Sequence, residues 1–348
     1  MATDTLDGLT TAMKERPIVS HGDSPILITH RTERSLYTRI IQFVVRRLRS
    51  VLVGAKGKHP EGSIKLHPHK IIHRTCRVSE RIIEDTYLYD IIPHKTPVKA
   101  VRKKIYYFCG GGWQTPPSSQ HWQICSKLAR DIPDTSITLV SYPLAPNNPA
   151  SSAFPKLLKL YRNLMQAAHE AGHKVILAGD SSGGNIALAL VLEALQEDAD
   201  AGKSDTEGAR RPHPGAIMAI CPSTDLTRSN PDIEKLQQFD PLLTPAFIKE
   251  TAKAWYADWA PTDRRVSPIN ADLSLLKTNG VKVHGVTGSY DILSPDGVIF
   301  RDRCAEEGVS GEWLQWDKQM HCFVLTWPYG VPEGREAVGW IIDVLKKE

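Results

Sequence analysis

The segment Val175-Ile-Leu-Ala-Gly-Asp-Ser-Ser-Gly-Gly-Asn185 sets Ser181 between glycines at 179 and 183, joining an apolar run that reads as a strand to one that reads as a helix. A turn this sharp pushes a serine hydroxyl clear of the sheet and leaves no room for side chains two residues to either side. The hydroxyl also stands at a helix N-terminus, where the dipole favours developing negative charge. A serine becomes a useful nucleophile only with a base, and the base needs an orienting carboxylate. Asp291 lies just past the apolar run Val281–Thr287, and His321 follows the shorter run Trp313–Trp316. Serine, acid and histidine thus fall in the order of a parallel sheet that carries its site at the strands' carboxyl ends. Competing residues have blander readings. His284 falls inside a strand, and His213 precedes one in a Pro-rich loop on the wrong side of the sheet. Asp296 reads as a helix opener, Asp317 as a possible acid, and Asp180 as a structural residue of the turn.

Acyl chemistry also needs donors for an oxyanion. Phe108-Cys-Gly-Gly-Gly-Trp113 follows a strand-like run, and bare backbone N–H groups there can approach a reacting carbonyl. Gly110 and Gly111, with the N–H of Ser182, are the candidate donors, one such donor typically contributing about 10²–10³ in rate. No GxGxxG and no following Lys-Ser/Thr supports a phosphate loop instead. Candidate substrate contacts are Gly112, Trp113, Trp255 and Trp259, the last two also reading as core cover within a lid. His67, His69 and His73 with Cys76 lack a confirming second cluster, so the histidines read as exposed linker residues and no metal or cofactor is expected.

The elements that must position these groups alternate. Strand-like runs occupy Ile71–Val78, Ile83–Ile91, Lys104–Cys109, Ile137–Tyr142, Lys174–Ala178, Gly215–Cys221, Val281–Thr287 and Trp313–Trp316. Helical periodicity marks Phe154–Ala171, Asn185–Gln196 and a final stretch near Gly334–Leu345. This alternation means βαβ units and a mostly parallel sheet covered on both faces. Ser223–Pro268 breaks the pattern with aromatic residues and no strand, and looks like a helical insertion placed as a lid. Asp198–Pro214 reads as a polar loop. The first thirty or so residues are polar and turn-rich, as of a surface segment. Arg34–Val53 carries Leu36, Ile40, Ile41, Val44, Leu48, Val51 and Leu52 on one helical face with arginines mostly on the others. That stripe is expected to pack on the protein; contact of the basic helix 34–53 with an anionic membrane is the less favoured alternative. A Gly/His/Pro-rich linker, 54–68, follows.

Bulk properties agree with an ordinary globular enzyme. The chain has 348 residues, 41% of them hydrophobic, and 43 Lys plus Arg against 39 Asp plus Glu, a net charge of +4 too mild to argue for nucleic acid. Six scattered cysteines without a CxxC pair imply no disulfide framework. Neither a secretory leader nor a long uninterrupted apolar span is evident, so a soluble, cytoplasmic protein is expected.

Taken together, Gly-Gly-Gly-Trp at 110–113, Tyr142-x-Leu-Ala-Pro146, Gly179-Asp-Ser-Ser-Gly-Gly-Asn-Ile-Ala187, Asp291-x-Leu-x-x-Asp-Gly297 and His321-x-Phe323 resemble the hormone-sensitive-lipase-like branch of the α/β-hydrolases. The resemblance covers roughly 105–345. It implies one α/β-hydrolase domain with a sheet of about eight strands flanked by helices. The catalytic core would span about 70–222 and 269–348, with a helical cap from about 1–60 and 223–268. It further implies a carboxylesterase-type serine hydrolase acting on a small to medium ester, free of metal and cofactor, with a homodimer compatible. The chain departs from the family at Cys109, where a histidine usually shapes the glycine loop, and at Pro143, where an arginine is usual. Those departures keep two alternatives open. One is a specialised acyltransferase, lactonase, lyase or formamide hydrolase on the same triad; the other is a non-catalytic small-molecule receptor.

Overall fold

Short apolar runs closed by Gly or Pro pair into a single sheet in the computed structural model, which describes residues 24–53, 59–202 and 211–348. The strands are β1 (Ile26–Arg31), β2 (Cys76–Ile83), β3 (Thr86–Pro93), β4 (Lys103–Phe108), β5 (Thr135–Ser141), β6 (Lys174–Asp180), β7 (Ala216–Ile220), β8 (Lys282–Gly288) and β9 (Gly311–Trp316). Their order across the sheet is β1-β9-β8-β7-β6-β4-β5-β3-β2. β3 runs antiparallel to both β2 and β5, and every other pairing is parallel. The sequence implied about eight strands; the described residues form nine. Every residue of β5 and β7 is buried, as strands covered on both faces must be.

The helices are α1 (Leu36–Leu52), α2 (Ser119–Asp131), α3 (Ala150–Glu170), α4 (Ser182–Gly202), α5 (Asp232–Leu236), α6 (Pro245–Tyr256), α7 (Ser274–Thr278), α8 (Ser294–Glu306) and α9 (Pro332–Lys347). One core joins α3, α4 and α8 to the sheet. The other joins α2 and α9 to it. The first fourteen residues of α4, 182–195, are all buried, so the helix that follows Ser181 is held from every side. Among the described residues, no helix is long and apolar enough to cross a membrane.

Several boundaries differ from those the sequence implied. Residues 26–31, expected in a surface segment and within the cap range 1–60, instead form β1 on the sheet edge beside β9. Only Ile26 in it is fully buried, which is why hydropathy alone does not reveal it. The start of the run at 71–78 is a 3-10 turn, Lys70–Arg74, and the strand is shifted to begin at Cys76. The tight turn at Glu84–Asp85, both with positive φ, fixes the hairpin register at Ile83↔Thr86 and sets that boundary. α4 runs on through Asp198–Gly202, which the sequence read as loop; of that loop 203–210 lie outside the described residues, as do 1–23 and 54–58 of the cap and linker ranges. His67 and His73 are exposed, but Cys76 is buried in the core.

α1 has the helical period expected of it and the opposite face inward. Leu36, Ile40, Val44, Leu48, Val51 and Leu52 are exposed, whereas Thr38, Ile41, Gln42, Val45 and Arg49 face the protein. Polar bonds decide this orientation. Thr38 and Ser35 hydroxyls donate to the buried Glu333 carboxylate, and Gln42 Nε2 donates to Lys318 O at 2.8 Å. Arg46 donates to Phe239 O at 2.9 Å, and Arg49 to the carbonyls of Asp240 and Pro241, tying α1 to the 223–268 insertion. That insertion carries α5 and α6 and no strand.

Candidate active site

The carboxyl ends of five adjacent strands, β4, β6, β7, β8 and β9, converge on one place. Ser181 stands between β6 and α4 with φ 53, the left-handed conformation that the sharp turn imposes. Its N–H donates to Ile220 O at 2.9 Å, and its carbonyl accepts from Asn185 and Ser223. The two flanking glycines are steric necessities. A Cβ at 183 would lie 2.0 Å from Phe108 O, and one at 179 would lie 2.5 Å from the Gly183 carbonyl.

Asp291 follows β8 and His321 follows β9. The His321 Nε2 to Ser181 Oγ distance is 2.9 Å, and His321 Nδ1 lies 2.7 Å from Asp291 Oδ2. Asp291 is fully buried, with its second oxygen accepting the Leu293 N–H at 2.8 Å. Burial opposes charge on His321, but Asp291 beside it outweighs that and raises the imidazole to about 9. The three residues chosen from sequence order are thus in hydrogen-bond contact. The rejected ones sit elsewhere. His213 bridges Tyr161 and Asp198, His284 accepts the Glu312 N–H, Asp317 pairs with His30, and Asp296 lies in the first turn of α8 beside Asn230.

Asp180, next to the nucleophile, is fully buried and anchors the glycine loop. Ser118 N–H donates to His121 Nδ1 at 2.9 Å, which directs Nε2–H of His121 to Asp180 Oδ2 at 3.2 Å; Tyr107 OH donates to the other oxygen at 3.0 Å. Burial works against the Asp180 charge, yet His121, the Gly110 N–H and Tyr107 hold its carboxyl below the usual carboxylate range. Gly110 packs so closely that a Cβ there would lie 2.3 Å from Asp180 Oδ2. Because the Gly110 N–H helps to stabilise the Asp180 charge, Gly110 is less well placed than its neighbours to serve as the oxyanion donor the sequence suggested. Among the described residues no acceptor is found for the N–H groups of Gly111 and Gly112, nor for Ser182 at the start of α4. The loop does not need a histidine at 109: Tyr142 OH donates to Cys109 O at 2.7 Å, and Ala145 N–H to Trp113 O at 2.8 Å.

The aromatic candidates divide. Trp113 and Trp255 stack at 5.9 Å between ring centroids and are buried in the core, so they bind α6 to the loop and present no surface to a ligand. Trp259 packs on Phe154 and under Arg265. The insertion also meets the glycine loop through Thr251 and Phe247, since a Cβ at Gly112 would meet Thr251 Cγ2 at 3.0 Å and Phe247 Cζ at 3.7 Å.

One residue of the site carries no sequence signal beyond an acidic side chain in the insertion. Asp240 Oδ2 accepts the Ile292 N–H at 3.0 Å, while Oδ1 accepts those of Leu242 and Leu243. Burial and the nearby Asp291 charge raise it to about 6. Phe239 stacks on Tyr290 at 5.2 Å, so the insertion grips both sides of Asp291. Arg228, also buried, donates to Ser223 Oγ at 2.7 Å and to Asp225 O, and burial lowers it to about 10. A cavity of about 350 Å³ lined by His169, His173, Lys174 and Lys282 lies at the amino ends of the strands, away from this chemistry.

Known proteins with related sequence or shape carry consistent names. The family described as alpha/beta hydrolase fold matches residues 105–325. An esterase of Acinetobacter venetianus is 26% identical over 242 residues, 69% of this chain and 73% of that protein. The carboxylesterase NlhH of Mycobacterium tuberculosis is 25% identical over 285 residues, 78% of this chain and 82% of its own. A solved hormone-sensitive lipase from a metagenome library superposes with a TM-score of 0.70 at 22% identity, covering 89% of this chain and 97% of that one.

Proposed function

Because the chain belongs to the alpha/beta hydrolase fold family, we propose that it hydrolyses carboxylic esters of small to medium size through an acyl-enzyme on Ser181. The observation that carries this reading is the continuous Ser181–His321–Asp291 hydrogen-bonded chain at 2.9 and 2.7 Å on a strained turn. The names of its relatives, esterase and carboxylesterase, support the ester as the bond cleaved.

In the proposed reaction Ser181 Oγ attacks the acyl carbon as its proton passes to His321 Nε2. Asp291 accepts the Nδ1–H bond, fixing the tautomer and stabilising the imidazolium. The N–H groups of Gly111, Gly112 and Ser182 receive the oxyanion. His321 returns the proton to the departing alkoxide, and water activated by the same imidazole then releases the acid. α1 and the 223–268 insertion form the cap, and Phe247 and Thr251 are the cap residues that border the reacting acyl group. His321 must be neutral to act, so kcat/KM should climb with pH through a limb near 9.

Turnover of p-nitrophenyl acetate through octanoate, measured for the native chain and for Ser181→Ala, tests this. The substitution should lower kcat by about 10⁴-fold or more and abolish labelling by a fluorophosphonate. Equal residual rates in the two proteins would overturn it.

A further inference from the structure

Two cysteines that the proposed reaction does not use flank the catalytic imidazole. Cys221 follows β7 with φ 45 and Cys322 follows His321 with φ 50, both left-handed conformations that non-glycine residues rarely adopt. The consequence is convergence. The two Sγ atoms and a ring nitrogen of His321 all lie within 4.8 Å of one another, and Cys322 Sγ is 3.4 Å from His321 Nε2. Tetrahedral zinc with S ligands at about 2.3 Å and N ligands at about 2.0–2.1 Å holds its ligand atoms about 3.5–3.8 Å apart. A small adjustment of buried side chains brings the three atoms to those separations. Two thiols and an imidazole are also a donor set suited to a soft or borderline divalent metal.

We infer that Cys221, Cys322 and His321 Nε2 form a binding site for a thiolate-seeking divalent metal such as Zn²⁺, whose occupancy shuts the triad off reversibly. The Nε2 lone pair that receives the Ser181 proton is the one the metal takes. Turnover and metal occupancy therefore exclude each other, because a metal on that lone pair displaces the hydrogen bond to Ser181 Oγ, now 2.9 Å away. Binding to the neutral imidazole converts both thiols to thiolates and releases two protons to solvent, with no change of oxidation state. Entry is from the substrate side, since Ser181 is half-buried while both cysteines are buried. The alternative is that two small apolar side chains merely fill the core.

The effect on turnover rests on His321 being the general base, but the binding itself does not, so two readouts are needed. In metal-free buffer the native chain is titrated with Zn²⁺ while ester hydrolysis is followed, and separately with Co²⁺ while thiolate-to-cobalt charge-transfer absorption is followed. One equivalent per chain is expected in both, with hydrolysis restored by EDTA. Cys221→Ser and Cys322→Ser should each weaken Zn²⁺ inhibition, relative to the variant's own rate, by at least about tenfold because a hydroxyl is a poor ligand for these ions. Cys304→Ala, on the opposite face of the sheet, should leave it unchanged. No charge-transfer band on the native chain overturns the inference even if the variants fail to fold, as does inhibition unaltered in both serine variants. A cobalt band on a chain without ester turnover supports the metal site and sinks only the hydrolase reading.

Discussion

The carboxyl edge of the sheet and the outer face of α1 are both built from patterned sequence, yet they constrain their residues to very different degrees. At the edge, backbone meets backbone. Phe108 O, Gly179, Gly183 and Asp180 occupy space that admits no further atom. On α1 an apolar stripe with the right period faces outward, because Glu333 and Lys318 O draw the polar face of the helix in. A motif whose spacing is dictated by steric contact is readable from sequence. A face chosen by partners some three hundred residues away is not.

The largest expected effect tests the first half of that contrast. Gly183→Ala places a methyl 2.0 Å from Phe108 O with rigid backbone on both sides, and should cost about 4–5 kcal/mol or more with loss of turnover. Gly339→Ala, within α9 and with nothing within 4 Å of its new methyl, should instead stabilise by about 0.5–1 kcal/mol. Urea denaturation of the two variants checks both signs. A folded, active Gly183→Ala protein would falsify the claim that contact, and not family habit, requires the glycine.

Next comes the buried pair that anchors the glycine loop. His121→Leu removes the imidazole that donates to Asp180 at 3.2 Å and leaves a carboxylate buried without its main partner. The expected loss is about 2–3 kcal/mol, since a buried carboxylate loses a hydrogen-bond donor that stabilises its charge. Asp180 is held below its unfolded pKa, so the stability it supplies is present above the ordinary carboxylate range and is lost as pH falls through its folded value. His121→Leu should therefore flatten the acid side of the stability profile, measured as the urea midpoint against pH. An unchanged acid side would show that Tyr107 and the Gly110 amide alone secure Asp180.

The pH dependence of turnover gives a smaller, sharper test at Asp240. Above its own value of about 6 this carboxylate is charged and adds to the field that keeps His321 protonated. Asp240→Asn keeps one acceptor oxygen, enough for the Leu242 and Leu243 N–H groups, and removes the charge, so the rising limb of kcat/KM should move to lower pH by about half a unit to one unit. A purely structural role would lower the melting temperature and leave the limb where it was.

Ser181, Asp291 and His321 were legible because each closes a strand or opens a helix, and the order of elements along the chain fixes where such ends fall in a parallel sheet. The glycine loop was legible as a loop but not in its details. Which N–H is free depends on Asp180, seventy residues away, and the stacking of Trp113 on Trp255 turned two ligand candidates into packing. Asp240 and the Cys221–Cys322 pair had no readable spacing, since the 223–268 insertion, the end of β7 and the loop after β9 bring them together from distant segments. β1 was missed for a related reason. An edge strand with one fully buried residue has no hydropathy to announce it.

The smallest expected effects decide the other half of the comparison. If polar bonds set the orientation of α1, its outer stripe should tolerate change and its inner face should not. Phe43→Ser and Val44→Ser alter exposed positions and should shift stability by no more than about 0.5 kcal/mol. Gln42→Leu is conservative in size and more apolar, yet it strips Lys318 O of its donor and Arg34 of its acceptor. Losing partners of buried polar groups costs about 1–2 kcal/mol. Chemical denaturation of the three variants therefore ranks the apolar gain as the more damaging change. The reverse ranking, with the serine variants weaker than Gln42→Leu, would mean that the stripe is packed after all and that hydropathy had chosen the face.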